Sequence, residues 1–422
     1  MNTSTIKLLP HQVEVLEQVK DKSRCAMYLD MGLGKTYTGS EKMVQLREPV
    51  NLVICQKSKV NDWVDHFKQY YSLPVYNMTL KDDFERFFEM IELVHGIVGV
   101  INYDLIFRRK EFLQLKDFTL MLDESSLIQN ETAKRSKFIL KKLSPKNVIL
   151  LSGTPTSGKY ERLWSQMNLL GWDISKKMYY AQYVDMQMSD DGYPIIKGYK
   201  NVERLKRKMR EYGCIFMKSD EVLDLPEQNF INLNVPETKD YKHFKKHGIV
   251  KFDDVELVGD TTLTKLLYSR MLCGHYNDDK LKAFHDLVES TDDRLIVFYN
   301  FNEEAKKLIH IANELKKPWS IVCGEQKTLA SYENFDNSIT FIQYQAGAMG
   351  LNLQLANKII YFTPPLSSEL FEQSKKRIHR IGQNKPCFYY QLKCGIDYKI
   401  YDTLEMRKDY TDKLFEGDID NG

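Results

Sequence analysis

The feature that most constrains this chain is a rhythm of short apolar runs, rich in β-branched residues, separated by stretches of helical period. It occurs twice. The first series is Ala26–Leu29, Leu52–Cys55, Ile97–Ile101, Leu120–Leu122 and Val148–Leu151. The second is Leu295–Tyr299, Ser320–Cys323, Thr340–Gln343, Ile359–Phe362 and Phe388–Leu392. Short runs of this kind, bounded by polar residues or glycine, read as parallel strands buried on both faces. Strands alternating with amphipathic helices imply right-handed βαβ crossovers. The expected fold class is therefore α/β: two lobes, each a parallel sheet flanked by helices.

Between Pro155 and Arg294 the rhythm stops. Arg162–Leu170, Val202–Tyr212, Thr261–Met271 and Lys280–Ser290 have helical spacing, and a polar, Tyr/Met-rich segment lies near residues 176–200. The expected organisation is a first lobe over 1–225 with a helical insertion near 156–215. A second lobe then runs over 226–422 with a helical insertion near 237–290, and Leu225-Pro226 marks the junction.

Composition sets further bounds. The chain has 422 residues, 43% hydrophobic and 28% charged, the balance of a soluble globular protein of two or three domains. Its 60 Lys plus Arg against 58 Asp plus Glu leave a net charge of +2. A polyanionic partner would thus have to be held by local patches. The polar start MNTSTIKLLP lacks the apolar core of a signal peptide. No stretch approaches the roughly 18 apolar residues of a membrane span. The seven cysteines form no CxxC pair, and Cys387 and Cys394 have no histidine at ligand spacing, so zinc is not expected. Reduced thiols and the absence of an export signal point to a cytoplasm, in a bacterial cell or phage-infected host.

Several segments carry chemistry. Met31-Gly32-Leu33-Gly34-Lys35-Thr36 follows a strand and opens a helical stretch, where a phosphate-cradling loop has to sit. Gly32 and Gly34 let backbone amides approach phosphates, Lys35 reaches the β/γ-phosphates, and the Thr36 hydroxyl can hold Mg²⁺. The full P-loop pattern would place glycine at Leu29, so this match is partial. The run Phe118–Leu122 leads into Asp123-Glu124-Ser125-Ser126, two carboxylates at a sheet's carboxyl edge. There Asp123 would hold Mg²⁺ and Glu124 would orient and polarise the attacking water.

Leu151-Ser152-Gly153-Thr154-Pro155 closes the next strand with small hydroxyl residues, suited either to sensing a phosphate or to an ordinary turn. In Gln373 to Gln383, a continuous helix would align Gln373, Arg377 and Arg380 on one stripe spanning about 10 Å. Two arginines so aligned suit bidentate contacts to a γ-phosphate. Ala346–Gln354, with Gly347 and Gly350, permits close backbone approach to a partner. Glu325-Gln326-Lys327 mimics half of a nuclease site but has no suitably spaced upstream aspartate.

Taken in order, these segments resemble the Swi/Snf-like branch of helicase superfamily 2. Leu9-Pro10-His11-Gln12 looks like that family's adenine-reading motif, with Gln12 as the base contact. Asp30–Thr36 resembles motif I, Ile101–Asp104 motif Ib, Asp123-Glu124 motif II and Leu151–Pro155 motif III. Val297–Phe301 is similar to motif IV, Ala346–Leu353 to motif V and Gln373–Gln383 to motif VI. Phe216–Val222 resembles the basic segment that ends the first lobe, although Met217 stands where arginine is usual. Motif II reads Asp-Glu-Ser-Ser rather than ending in His, which leaves the family's coupling contact at Ser126 open.

The resemblance implies two RecA-like lobes, an ATP and Mg²⁺ requirement, and nucleotide contacts from Gln12, Gly32, Gly34, Lys35, Thr36, Asp123 and Gly350. It makes Lys35, Glu124, Arg377 and Arg380 the catalytic set, with Thr36 and Asp123 holding Mg²⁺. The implied activity is an ATP-driven motor translocating on duplex DNA through phosphate-backbone contacts. Motif Ib, motif V and the basic clusters Lys134–Lys137 and Arg204–Arg210 are the candidate contacts. A strand-separating helicase and an ATP-switched DNA clamp with little turnover are the alternatives.

Overall fold

The computed structural model of the chain describes residues 5–189, 192–252, 255–347 and 351–415. The chain divides into two units, the first ending at Val222 and the second running Leu223–Lys408.

All five apolar runs of the first series are strands. The first unit contains β1 (Arg24–Leu29), β2 (Val50–Cys55), β3 (Val75–Asn77), β4 (Ile97–Asn102), β5 (Phe118–Asp123), β6 (Asn147–Leu151), β7 (Val184–Met188), β8 (Pro194–Tyr199) and β9 (Cys214–Met217). Seven of them form one sheet in the order β3-β4-β2-β5-β6-β1-β9. Its pairings are parallel throughout. β2, β4 and β6 are buried at every position, as continuous apolar runs in a sheet covered on both faces should be. The ends of β1, β4, β5 and β6 therefore lie along one carboxyl edge. The helix Lys35–Gln45 packs tightly over this sheet at Gly39, where a Cβ would sit 2.7 Å from a Leu151 methyl.

The second series also becomes strands. This unit contains β10 (Gln228–Asn234), β11 (Ile249–Phe252), β12 (Val255–Val258), β13 (Leu295–Tyr299), β14 (Trp319–Val322), β15 (Ile339–Gln343), β16 (Lys358–Tyr361) and β17 (Cys387–Lys393). Six form a parallel sheet in the order β10-β17-β16-β13-β15-β14. The expected α/β architecture of two helix-flanked parallel sheets is thus present. Among the described residues no helix is long and apolar enough to cross a membrane.

The segments expected to be helical are so in part. Trp164–Leu169, Val202–Glu211, Thr262–Cys273 and Asp278–Glu289 are helices. Residues 184–199, however, form the antiparallel hairpin β7–β8, and 249–258 form a second, β11–β12. β9, from the segment read as a basic brace, pairs with β1 inside the main sheet. Its short apolar stretch was masked by the charged residues around it.

A single buried ion pair fastens the end of the second unit. Lys280 Nζ lies 2.6 Å from Asp397 Oδ2, and both side chains are wholly inaccessible. Burial pushes the Asp397 carboxyl up, and the Lys280 ammonium opposes that shift. The pair ties helix Asp278–Glu289 to the start of helix Ile396–Phe415. Removing one partner strands a buried charge, so Lys280→Met should cost about 3–5 kcal/mol in urea unfolding. The double variant Lys280→Met/Asp397→Leu should recover most of that loss, which a pair of single and double melts measures.

Candidate active site at the carboxyl edge of the first sheet

The loop after β1 turns through two glycines in the left-handed region, Gly32 at φ 89° and Gly34 at φ 76°, before the helix Lys35–Gln45 begins. Side-chain residues rarely adopt that backbone, and glycine does so freely. Gly34 is also hemmed in, since a Cβ there would lie 2.1 Å from Gln12 Nε2. Gln12 itself is buried and fixed. Its Nε2 donates to Leu33 O at 3.1 Å, and its Oε1 accepts from Leu9 N at 2.9 Å. His11 Nε2 meets the same Leu33 carbonyl at 3.1 Å. The Leu9–Gln12 segment is thus a clamp on the glycine loop.

Lys35 donates from Nζ to Leu29 O at 3.0 Å and Asp30 O at 3.3 Å, so its ammonium stays at the end of β1. Gly153, after β6, stands against it: a Cβ there would lie 3.3 Å from Lys35 Nζ. The loop is braced on its other side by Asp30, whose Oδ2 accepts from Ser219 Oγ at 2.7 Å and whose Oδ1 accepts from Met31 N at 2.8 Å. Motif I, motif III and the segment after β9 therefore meet at one edge.

Asp123 ends β5, and its Oδ2 accepts from Trp63 Nε1 at 2.8 Å. Desolvation pushes its carboxyl above the usual range, while the Trp63 indole, Lys35 and Lys59 act in the opposite direction. Glu124 follows in the left-handed region, at φ 54° and ψ 59°. For a non-glycine residue this costs roughly 1–2 kcal/mol, and strain of this kind concentrates at functional sites. Its carbonyl is held by Leu127 N at 2.9 Å, and Ser152 Oγ donates to Glu124 Oε2 at 3.3 Å. Tyr103 OH donates to Asp123 O at 2.9 Å, linking motif Ib to motif II.

Ser126 Oγ is buried with no hydrogen-bond partner among the described residues. Ser125 Oγ instead donates to Gln166 Oε1 at 2.8 Å, and Gln166 Nε2 donates to Pro155 O at 2.7 Å. Tyr28 OH shares the same Gln166 oxygen at 3.0 Å. Motif II therefore reaches motif III through Gln166, a residue that sequence reasoning passed over as one polar position in a helical stretch. Trp63 was missed for a related reason. At helical spacing in Val60–Tyr70 it reads as a core aromatic, and nothing in the pattern reveals where its N–H points.

In the second unit, Arg377 and Arg380 do not lie on the continuous helical stripe expected. The helix Ser368–Lys375 ends before them. Beyond Lys375 the chain continues in turns, and a tertiary bond holds them: Arg377 O accepts from Leu353 N at 3.1 Å. Gly382, at φ 94°, completes the reversal. Gln383 Nε2 then donates to Ala356 O at 2.8 Å and Gln354 O at 3.1 Å, binding motif VI back onto motif V. Arg377 is buried, and Arg380 donates from Nη1 to Asn352 Oδ1. Burial lowers the Arg380 guanidinium from its ordinary value. Gln373 Nε2 donates to Glu369 Oε1 at 3.3 Å. Gly350 lies outside the described residues.

The basic clusters are partly committed within the protein. Arg135 Nε donates to Leu127 O at 3.1 Å, Lys206 pairs with Glu203 at 3.1 Å, and Lys208 pairs with Glu211 at 2.6 Å.

Trp63→Phe deletes one donor to a desolvated carboxyl and leaves part of the indole's volume empty. It should destabilise the protein by about 1–3 kcal/mol in urea unfolding.

Comparison with known proteins places these motifs in a lineage. The SNF2-related domain family matches residues 11–278, and the helicase conserved C-terminal domain matches residues 279–382. The SWI/SNF-related matrix-associated actin-dependent regulator of chromatin subfamily A member 1 of Mus musculus is 24% identical over 86% of this chain and 38% of its own length. A putative ATP-dependent helicase/translocase of Bacillus subtilis is 22% identical over 92% of this chain and 46% of its own length. The chain thus spans less than half the length of either relative. Among solved structures, the Sulfolobus solfataricus SWI2/SNF2 ATPase core in complex with dsDNA aligns over 99% of this chain and 94% of that one, at 20% identity and a TM-score of 0.47. With well over half of its residues matched by the first of these families, the chain belongs to the SNF2-related domain family.

Proposed function

We propose that this protein is an ATP-hydrolysing motor that is stimulated by, and translocates on, duplex DNA. The observation that carries the reading is the meeting at one sheet edge of a left-handed glycine loop, the Lys35 ammonium beside Gly153, and the Asp123-Glu124 pair. Gln12 and His11 hold the loop in shape for the nucleotide. Lys35 and the glycine-loop amides bind the phosphates. Glu124, held at a left-handed turn with Ser152 on its carboxylate, orients and polarises the attacking water.

A divalent cation fits the same place. Thr36 and Asp123 offer hard oxygen donors, and a carboxyl that burial already penalises gains most from a nearby cation. Mg²⁺ bound there would neutralise phosphate charge. Arg377 and Arg380 are proposed as the arginine fingers of turnover, a role worth about 10³–10⁵ in rate where it has been measured. All seven cysteines are free thiols, which fits a reducing cytoplasm.

A strand-separating helicase is the second reading, and one observation favours it. The hairpin β7–β8 exposes Met186, Met188, Ile195 and Ile196, with Tyr193 beside it, and apolar side chains can wedge between bases.

Phosphate release with no nucleic acid, duplex DNA, single-stranded DNA and RNA, run beside strand displacement, separates these readings. Duplex DNA should stimulate release most, with little displacement, and Lys35→Ala and Glu124→Gln should abolish turnover. Arg380→Ala should retain nucleotide binding and lose at least about tenfold in hydrolysis. Equal turnover under all four conditions would count against the motor, and efficient displacement would favour the second reading.

A further inference from the structure

Away from the helicase motifs, the second unit has a cleft of about 610 Å³. It is walled by the helix Lys239–His247, the hairpin β11–β12, the helix Thr262–Cys273 and the start of the helix Ile396–Phe415. A volume of this order suits a small ligand or a few linked phosphates. Tyr241 and Phe244 are buried in its floor. Four lysines line it, Lys245, Lys246, Lys265 and Lys399, together with His247, and among the described residues no Asp or Glu lines it.

The ordinary explanation for basic residues on a helix accounts for only part of this set. Lys245, Lys246 and His247 occupy the last turn of their helix, where cations offset the helix dipole. Lys245 also pairs with Glu237 at 3.6 Å. Lys265 and Lys399 come from two other helices, and that argument does not cover them. Lys246, Lys265 and Lys399 form no ion pair among the described residues.

Lys265 is moreover laid along the cleft wall. A Cβ on Gly259 would lie 2.7 Å from its Cγ, and one on Gly248 would lie 3.9 Å from its Cε. The stem is packed across the hairpin ends while the ammonium stays exposed. Like charges brought from separate elements to one concavity repel one another, and a multivalent anion relieves that repulsion.

We infer that this cleft is an anion site for linked phosphate groups, bound through Lys246, Lys265 and Lys399. Lysine suits such a ligand because each ammonium meets a phosphate oxygen as a point charge, without the fixed fork of arginine. The phosphates can belong to a free polyphosphate or to a nucleic-acid backbone, and the experiment separates the two sources. The inference is independent of nucleotide turnover in the first unit.

The full chain carrying Lys35→Ala, so that the glycine loop contributes little, is titrated calorimetrically with inorganic tripolyphosphate and with a short DNA duplex. The same titrations are run with Lys246→Ala/Lys265→Ala added, and with Lys306→Ala as an exposed lysine outside the cleft. Unchanged melting temperatures confirm that each variant is folded. The cleft pair should weaken tripolyphosphate binding at least about tenfold, and Lys306→Ala should have no effect. Lys265→Arg should retain most of the affinity.

If duplex affinity also falls in the cleft variant, with the slope of log K against log salt reduced by about 1–2, the backbone is a source of the phosphates. A loss confined to tripolyphosphate identifies a free phosphate compound. Both outcomes support the site. If neither ligand distinguishes the cleft variant from wild type or from Lys306→Ala, the inference is overturned.

Discussion

A carboxyl group withdrawn from water at the end of a buried strand has to be compensated, and the first unit is organised around that need at Asp123. β5 carries it to the sheet edge, desolvation pushes its carboxyl up, and Trp63, Lys35 and Lys59 each oppose that push. The compensation is incomplete, which is what a site for a cation and a polyphosphate requires. Were Asp123 fully satisfied by the protein, a ligand would have to displace protein contacts to bind. Instead Trp63 orients the carboxylate through a neutral donor, and the charge is left for the ligand to complete. The neighbouring Glu124 is treated differently: its backbone is strained, and Ser152 Oγ donates to its carboxylate. Two adjacent carboxylates are thus given different surroundings, one fixed and desolvated, the other held by backbone geometry.

This explains which parts of the site could be read from the chain and which could not. The strands that deliver Lys35, Asp123 and Ser152 are buried on both faces, so their sequences are continuous apolar runs with chemistry at the ends. A pattern of that kind is local and survives in one dimension. Trp63, Gln166 and Tyr103 act through single polar atoms aimed across the fold, and their neighbours in sequence carry no trace of that aim. Three of the four edge strands, β3, β9 and β10, were lost for another reason. β10 alternates between half-buried and exposed positions, with Phe230 exposed, so its apolar content falls below that of a central strand.

The arginine segment shows where periodicity misleads. Gln373, Arg377 and Arg380 have helical spacing, yet the helix ends at Lys375, and the turns beyond it are held by a tertiary bond from Leu353 N to Arg377 O. The spacing was real as arithmetic and wrong as structure, since tertiary hydrogen bonds outweigh a weak local preference. A guanidinium on a regular helix face is placed by one element alone. Here Gln383 and Asn352 fasten the arginine turn to the stretch around Gln354 and Ala356.

The two places proposed for phosphate groups differ in kind, and the difference follows from what each would be asked to do. At the first sheet edge the groups are few, partly desolvated and held by named partners: one lysine on carbonyls, one carboxylate on an indole, one glutamate at a strained turn. Such an arrangement discriminates geometry, because a ligand atom displaced by a fraction of an ångström loses a charge-assisted bond in a low-dielectric setting. The cleft in the second unit has exposed lysines from three helices around an aromatic floor. Exposed lysines tolerate displacement and are screened by salt, so they hold charge without fixing an atom. Chemistry at a single phosphorus needs the first kind of site, and retention of a phosphate chain in any of several registers needs only the second.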